Sequence, residues 1–262
     1  MTPSAIPPII HYCWFGRGRK SQLMEQCIAS WQKQMPRYEI KEWNEENFDV
    51  NITTYTAEAY RLKAYAFVTD FARFWILYHF GGIYFDTDVE LLHPIDDLVS
   101  RGAFMGFEAQ PIIPYRETGI VNPGLGIAFP TGHPFCKRMI DFYSSIHFVR
   151  KNGKHTGNTV LFTTSQLDWE AAKKQPDGKV ELNQLTLYPE SYFCPYNCYT
   201  RKTIVTEETR SIHHYTASWA DRNLNRSHIL VKRLRYLYVR ISMSIKQFLH
   251  KQLLYPKRLS KR

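Results

Sequence analysis

The stretch that most restricts this chain is Phe80-Gly81-Gly82-Ile83-Tyr84-Phe85-Asp86-Thr87-Asp88-Val89-Glu90. A Gly-Gly break leads into three β-prone apolar residues, which run directly into two aspartates spaced i, i+2. On a strand, side chains two apart leave from one face, so Asp86 and Asp88 are expected to project together from the end of a buried strand. Two such carboxylates repel each other and are costly to desolvate unless something pairs them. A hard divalent cation, Mg²⁺ or Mn²⁺, does so, because it binds through one or two carboxylates plus phosphate oxygens. The competing expectation is a solvated strand end carrying two surface acids.

The segments around this stretch set its context. Ile6–Phe15 reads as a buried first strand closing on Gly16 and a basic loop, Arg17–Lys20. Ser21 is placed to cap a helix running through Trp31, Pro36 ends that region, and Tyr38–Trp43 alternates as a second strand. A β-α-β opening implies a parallel sheet with ligands beyond the carboxyl ends of its strands. The longest helix is expected from about Thr56 to Phe80, with Gly81 as its stop. Asp70 and Arg73 share one face of it. An ordinary intrahelical pair is worth roughly 0.3 kcal/mol. Here Phe67, Val68, Phe71, Phe74, Trp75 and Leu77 make the helix apolar nearly all round, and charges on a buried helix need a partner or a function.

Further on, a short helix follows Pro94, and Ala103–Phe107 reads as a strand. In Asn122-Pro123-Gly124-Leu125-Gly126 two glycines imply close approach of backbone to a ligand, or a plain packing turn. The spacing is not a dinucleotide fingerprint, since no G-x-G-x-x-G opens a helix. A helix is expected from Pro134 to about Val149, then a polar loop over Arg150–Asn158, and a strand over Leu182–Tyr188. Ser211–Trp219 closes the folded body.

Composition matters at two points. The five cysteines are odd in number and scattered, which suits a reducing compartment better than a disulfide framework. Cys194 and Cys198 lie four apart with no second pair to complete a zinc site. With no signal-peptide pattern at the N-terminus and no apolar run of membrane-spanning length, the expected location is cytoplasmic. The second point is charge. Twelve of the 34 basic residues, and no acid, lie from Arg222 onward, which leaves 22 basic against 24 acidic residues before it. The net charge of +10 therefore belongs to a tail. Within it Leu230, Leu234, Leu237, Ile241, Ile245, Phe248 and Leu249 recur at helical spacing, with Lys232, Arg233, Arg235, Arg240, Lys246 and Lys251 between them. A basic amphipathic helix of this kind suits an anionic membrane surface, lying in the interface without spanning it. Packing on the body, or a solvated or nucleic-acid-binding face, are the alternatives. The expected division is residues 1–225 as one domain and 226–262 as the tail, peripheral on the inner face of the membrane, with no nucleic-acid partner.

Several stretches together resemble glycosyltransferase family 32. They are Ile9-Ile10-His11-Tyr12-Cys13-Trp14-Phe15-Gly16, Ser30-Trp31, Thr69-Asp70-Phe71-Ala72-Arg73, Gly81–Asp88 and His213-His214-Tyr215-Thr216-Ala217-Ser218-Trp219, in the family's order. The clostridial glucosylating toxins are similar more distantly. The resemblance implies a GT-A type α/β fold with a mixed central sheet, a nucleotide-sugar donor (UDP- or GDP-linked), a divalent metal and retention of anomeric configuration. It also implies a glycan or lipid-linked acceptor in bacterial capsule, lipopolysaccharide or exopolysaccharide synthesis. By the same resemblance Asp88 is a direct metal ligand, and Asp86 contacts ribose and the metal's shell. Asp70 and Arg73 grip the donor sugar, Trp14 stacks on the nucleobase, and Ser218 and Trp219 reach the diphosphate. His213 is favoured over His214 as a further metal ligand.

The chemistry is consistent with those roles. Breaking a sugar–diphosphate bond places negative charge on the leaving phosphate, which a metal and nearby donors stabilise. Arg73 offers an always-charged fork for hydroxyls or phosphate. Asp70 can accept sugar hydroxyl bonds and so orient the anomeric carbon. No nucleophile or general base is evident. Phe85-Asp86-Thr87-Asp88 also resembles the first motif of haloacid-dehalogenase-type phosphatases, and a non-catalytic sugar-binding protein is the remaining alternative.

Overall fold

A computed structural model of the chain describes residues 5–108, 119–149, 153, 155–156, 159–197 and 202–216. The expected polar loop 150–158 falls mostly outside these residues, and Ser218, Trp219 and the tail fall wholly outside them. In chain order the elements begin with β1 (Ile9–Cys13), α1 (Gln22–Gln34), β2 (Glu39–Trp43), α2 (Thr54–Arg61), α3 (Tyr65–Phe80), β3 (Gly82–Tyr84) and β4 (Val89–Leu91). Next come α4 (Asp96–Val99), β5 (Ala103–Phe107), β6 (Val121–Asn122), β7 (Ile127–Phe129), α5 (Pro134–Ser144) and α6 (Thr159–Ser165). The last are β8 (Ala172–Lys174), β9 (Val180–Leu182), β10 (Leu185–Tyr188), α7 (Glu190–Phe193), β11 (Tyr196–Asn197), β12 (Lys202–Thr203) and β13 (Ser211–His213).

Among the described residues nine strands form one mixed sheet in the order β2-β1-β3-β7-β5-β10-β9-β8, with β6 paired to β5. β1 runs parallel to β2 and β3, and β10 runs parallel to β5, while β7 is antiparallel to both of its neighbours. This is the α/β architecture with a mixed central sheet that the resemblance implied. Alternation along the strands divides the core between the two faces. Cys13, Tyr84, Met105, Ile127 and Leu187 join the cluster that also holds Val68, Phe71, Phe74 and Leu77 of α3. Ile10, Tyr12, Ile83, Phe85 and Phe104 join the cluster that holds Trp31 of α1 and Phe193 of α7.

Local signals explain most of the boundaries. Ser21 caps α1 by accepting from the Met24 amide at 3.3 Å, and Thr53 opens α2 with a reciprocal capping box. The single long helix expected over Thr56–Phe80 is two helices. Lys63 takes a left-handed φ of 55° and the Ala64 amide reaches back to the Ala59 carbonyl, a helix-ending turn made without glycine. The strand expected over Leu182–Tyr188 is a hairpin that turns at Asn183, φ 47°. The helix from Pro134 ends at Ser144, short of Val149.

Gly81 ends α3 as expected, with φ 64° and its amide on the Leu77 carbonyl. A side chain there would meet Pro7 Cδ at 2.7 Å and Thr131 N at 2.9 Å. Gly82, φ 99°, lies against Ile9 O, which a Cβ would approach to 2.6 Å. The Gly-Gly break is therefore a tight reversal that lets β3 enter the sheet directly beneath α3.

Candidate active site

The two aspartates do not lie on a strand. β3 ends at Tyr84, and Asp86–Val89 form a turn closed by the Val89 amide on the Asp86 carbonyl at 3.1 Å. A regular strand would have continued the sheet ladder past Tyr84, but the chain leaves it there to start the separate β4–β13 pair. That pair sets His213 opposite Val89 and so brings its ring against the turn. The carboxylates converge all the same: His213 Nε2 is 3.3 Å from Asp88 Oδ1 and 3.9 Å from Asp86 Oδ2. His214 points elsewhere, onto Glu90 Oε2 at 3.0 Å. Of the two histidines, His213 is thus the one that faces the aspartates.

Arg73 is the centre of the cluster. Its Nη2 lies 3.0 Å from Asp70 Oδ1 and 3.3 Å from Asp86 Oδ1, so one guanidinium edge is shared by both carboxylates. Nε donates to the Thr69 carbonyl at 3.3 Å, and the guanidinium rests 5.0 Å over the Tyr84 ring. Nη1 is buried and has no hydrogen-bond partner among the described residues, so a donor is left for a ligand oxygen. The buried apolar residues of α3, at about 2 kcal/mol each, make it possible for the helix to carry this charge inside.

Two contacts orient Asp86. The Tyr84 hydroxyl donates to Oδ1 at 3.0 Å, and a Cβ on Gly124 would come within 2.1 Å of Oδ2. The paired glycines of the 122–126 turn were ambiguous in sequence, and here Gly124 makes room for the first aspartate. Asp88 is held through Oδ2, which accepts from both the amide (2.9 Å) and the hydroxyl (2.8 Å) of Thr216. Tyr84 and Gly124 lay inside stretches that the sequence marked, although neither was given a role. Thr216 likewise lay inside the marked stretch 213–219 and was given no role.

Burial and charge pull the acids apart. Burial pushes the Asp70 carboxyl up to about 7, the Asp86 carboxylate adds to this, and Arg73 opposes it. Asp86 is buried too, but Arg73, His213 and Tyr84 outweigh the burial and hold it below the usual carboxylate range. For His213, burial favours the neutral ring, yet Asp88 and Asp86 outweigh it and raise the pKa. Its Nδ1 accepts from the Tyr215 amide at 3.2 Å, which directs an Nε2 proton at the carboxylates.

Among the described residues no group of three or more His, Cys, Asp and Glu is spaced to hold a metal ion by itself. Two hard carboxylate oxygens nevertheless converge, Asp86 Oδ2 and Asp88 Oδ1. That donor set fits Mg²⁺ or Mn²⁺ completed by phosphate oxygens from a ligand, and it does not need a protein cage. His213 presents a hydrogen-bond donor here, and it would have to give up that proton to serve as a ligand. Trp14 follows β1 at the same end of the sheet. Its indole Nε1 donates to the Gly18 carbonyl at 2.6 Å and the Lys20 ammonium lies 5.8 Å from its ring.

Residues 21–105 match the family model described as the glycosyltransferase sugar-binding region containing DXD motif. This segment is similar to a DXD-type sugar-binding region. It holds Asp70, Arg73, Asp86 and Asp88; His213 follows it in sequence and joins those aspartates in space, whereas Trp14 precedes it and meets it through its amide on the Trp43 carbonyl at 2.8 Å. The chain is also similar to two curated relatives from Schizosaccharomyces pombe (strain 972 / ATCC 24843). Inositol phosphoceramide mannosyltransferase 3 is 28% identical over 208 residues, 72% of this chain and 52% of the relative. Inositol phosphoceramide mannosyltransferase 1 is 29% identical over 156 residues, 56% of this chain and 43% of the relative. The chain spans about half the length of these relatives. Among solved structures it is similar to the PaToxG glycosyltransferase, with a TM-score of 0.45 and 19% identity over 64% of this chain and 71% of that one. It is also similar to a glycosyltransferase involved in glycosylation of the major capsid of PBCV-1, with a TM-score of 0.47 and 11% identity over 85% of this chain and 99% of that one.

Proposed function

We propose that the chain transfers a sugar from a nucleotide-sugar donor to a glycan or glycolipid acceptor, with retention of anomeric configuration. The observation that carries this reading is the single guanidinium shared by Asp70 and Asp86, with Nη1 left unpaired beside the converging Asp86 and Asp88. A bound divalent ion, held by Asp86 and Asp88 with the diphosphate, would neutralise charge on the leaving phosphate. Arg73 offers its free Nη1 to a sugar or phosphate oxygen. Asp70, when ionised, accepts sugar hydroxyls and fixes the direction in which the anomeric carbon faces. His213 holds a proton at Nε2 beside the same carboxylates, where it can donate to a diphosphate oxygen.

Trp14 is assigned to the nucleobase, and Ser218 and Trp219 to the diphosphate, on the family resemblance. The names of the yeast relatives make a hexose, mannose among them, and a phosphoinositol-bearing lipid acceptor the first pair to try beside bacterial polysaccharide acceptors. A thermal-shift screen of UDP-, GDP- and CMP-sugars with Mn²⁺ tests the reading. One nucleotide class should stabilise the protein only when Mn²⁺ is present. Stabilisation by none of them, or to the same extent in excess chelator, contradicts it. Turnover of the stabilising donor then separates a transferase from a sugar-binding protein, and release of phosphate from a phosphomonoester would favour the phosphatase. The reading places the enzyme on the cytoplasmic face of a membrane through residues 226–262, as the spacing of the tail's apolar and basic residues supports. Among the described residues no helix is long and apolar enough to cross a membrane.

A further inference from the structure

Asp88 is held by hydrogen bonds at two of its oxygens. Its carbonyl accepts the His214 amide at 2.9 Å, and its Oδ2 accepts both the amide and the hydroxyl of Thr216. Thr216 reaches that oxygen because Tyr215 takes φ 50°, a left-handed conformation uncommon for an aromatic residue, and so folds the chain back after β13. The second oxygen, Oδ1, faces His213. Two donors on one oxygen saturate it and set the plane of the carboxylate, leaving the other oxygen, which faces only His213 among the described residues, to meet a cation.

We propose that Thr216 is a positioning residue that presents Asp88 to a divalent cation through Oδ1 alone. One-oxygen presentation suits Mg²⁺ and Mn²⁺, which want near-octahedral geometry and would be poorly served by a freely turning, chelating carboxylate. Hydrogen bonds that orient a ligating carboxylate typically account for 10–100-fold in metal affinity. The inference rests on the metal-dependent reading above.

The test uses the full chain, with Mn²⁺ and inorganic pyrophosphate as probes and binding read from the loss of the free-ion EPR signal. Thr216→Val keeps the shape and the amide donor but removes the hydroxyl, and it should weaken Mn²⁺ binding by about tenfold or more. Thr216→Ser restores the hydroxyl and should restore the affinity, which a merely structural role for the side chain would not require. Asp88→Ala reports separately whether the carboxylate holds the ion at all. If Asp88→Ala loses Mn²⁺ while Thr216→Val binds it as tightly as the unaltered protein, this inference alone is overturned. Thr216→Ser binding as weakly as Thr216→Val overturns it as well. If the unaltered protein and Asp88→Ala bind Mn²⁺ alike, or neither binds it, the metal reading falls and this inference falls with it.

Discussion

Arg73 keeps Asp86 charged while Asp70, more deeply buried, is pushed toward neutrality. At this scale the sequence was informative about charge and silent about space. Asp70, Arg73, Asp86 and Asp88 stood out because ionisable residues beside an apolar helix and a Gly-Gly break need partners, whereas His213 came only from the family resemblance. Tyr84, Gly124 and Thr216 did not stand out, because each acts through a contact made by the fold. Gly124 gives a direct check. Its backbone suits any residue, so Gly124→Ala should fold, with a lowered Tm as Asp86 shifts from Arg73 and Tyr84. Its new Cβ falls within 2.1 Å of Asp86 Oδ2 and should cut kcat/KM for transfer by about tenfold or more, roughly the cost of a small misplacement of a reacting group. Unchanged kinetics would show that the carboxylate is not where the chemistry needs it. Arg73→Lys keeps the charge but loses the fork, and should lower transfer far more than it weakens binding of the free nucleoside diphosphate. Trp14→Ala should weaken diphosphate and sugar donor alike, and a steady-state comparison of the two variants separates the subsites.

The elements were legible where a local residue type marks them and obscure where tertiary structure decides. Ser21, Gly81 and the buried first strand β1 were read correctly, but the break at Lys63 and the turn at Asn183 lack a glycine and were missed. The Asp-x-Asp motif shows the same limit, since its turn exists because β4 leaves the sheet to pair with β13. One buried histidine ties these elements together. His11 accepts from Trp43 Nε1 at 3.0 Å and its Nε2 meets the Gly81 carbonyl at 2.9 Å, so it joins β1, β2 and the end of α3. Burial lowers its pKa to about 4. Below pH 6.5 the unfolded chain takes up the proton first, so this contribution, about 3 kcal/mol, is lost as pH falls from 6.5 to 4. Asp70 has the opposite sign. With a folded pKa near 7, the native state binds its proton first, and stability falls as pH rises from about 4 to 7. The two slopes oppose each other over the same window. Asp70→Asn removes one of them, so its stability by urea unfolding should fall toward acid by about 3 kcal/mol more than that of the unaltered protein. Parallel curves would mean that Asp70 is not held near neutrality in the folded state.

For the whole molecule, an apolar core on each face of a mixed sheet carries a charged cluster where β3 leaves that sheet, and the excess positive charge lies beyond it in residues 226–262. The β-α-β opening pointed to an α/β fold with a parallel sheet, and the mixed sheet was implied only by the family resemblance. The antiparallel placement of β7 between β3 and β5 was not legible, because strand order is set by long-range pairing. If the tail holds the enzyme on anionic lipid, truncation after Arg226 should release it from phosphatidylserine vesicles and spare donor hydrolysis. Each basic residue near such a surface contributes about 1 kcal/mol, so the binding should also fade with salt. Equal vesicle binding by the truncated protein would place the contact elsewhere. The central claim, that Asp86 and Asp88 serve metal-dependent sugar transfer, is tested most directly by release of nucleoside diphosphate from the donor that stabilises the protein. It should require Mn²⁺ or Mg²⁺, stop in excess chelator, and disappear in Asp88→Ala while that variant stays folded. Release at the unaltered rate by Asp88→Ala, or in excess chelator, would contradict the claim.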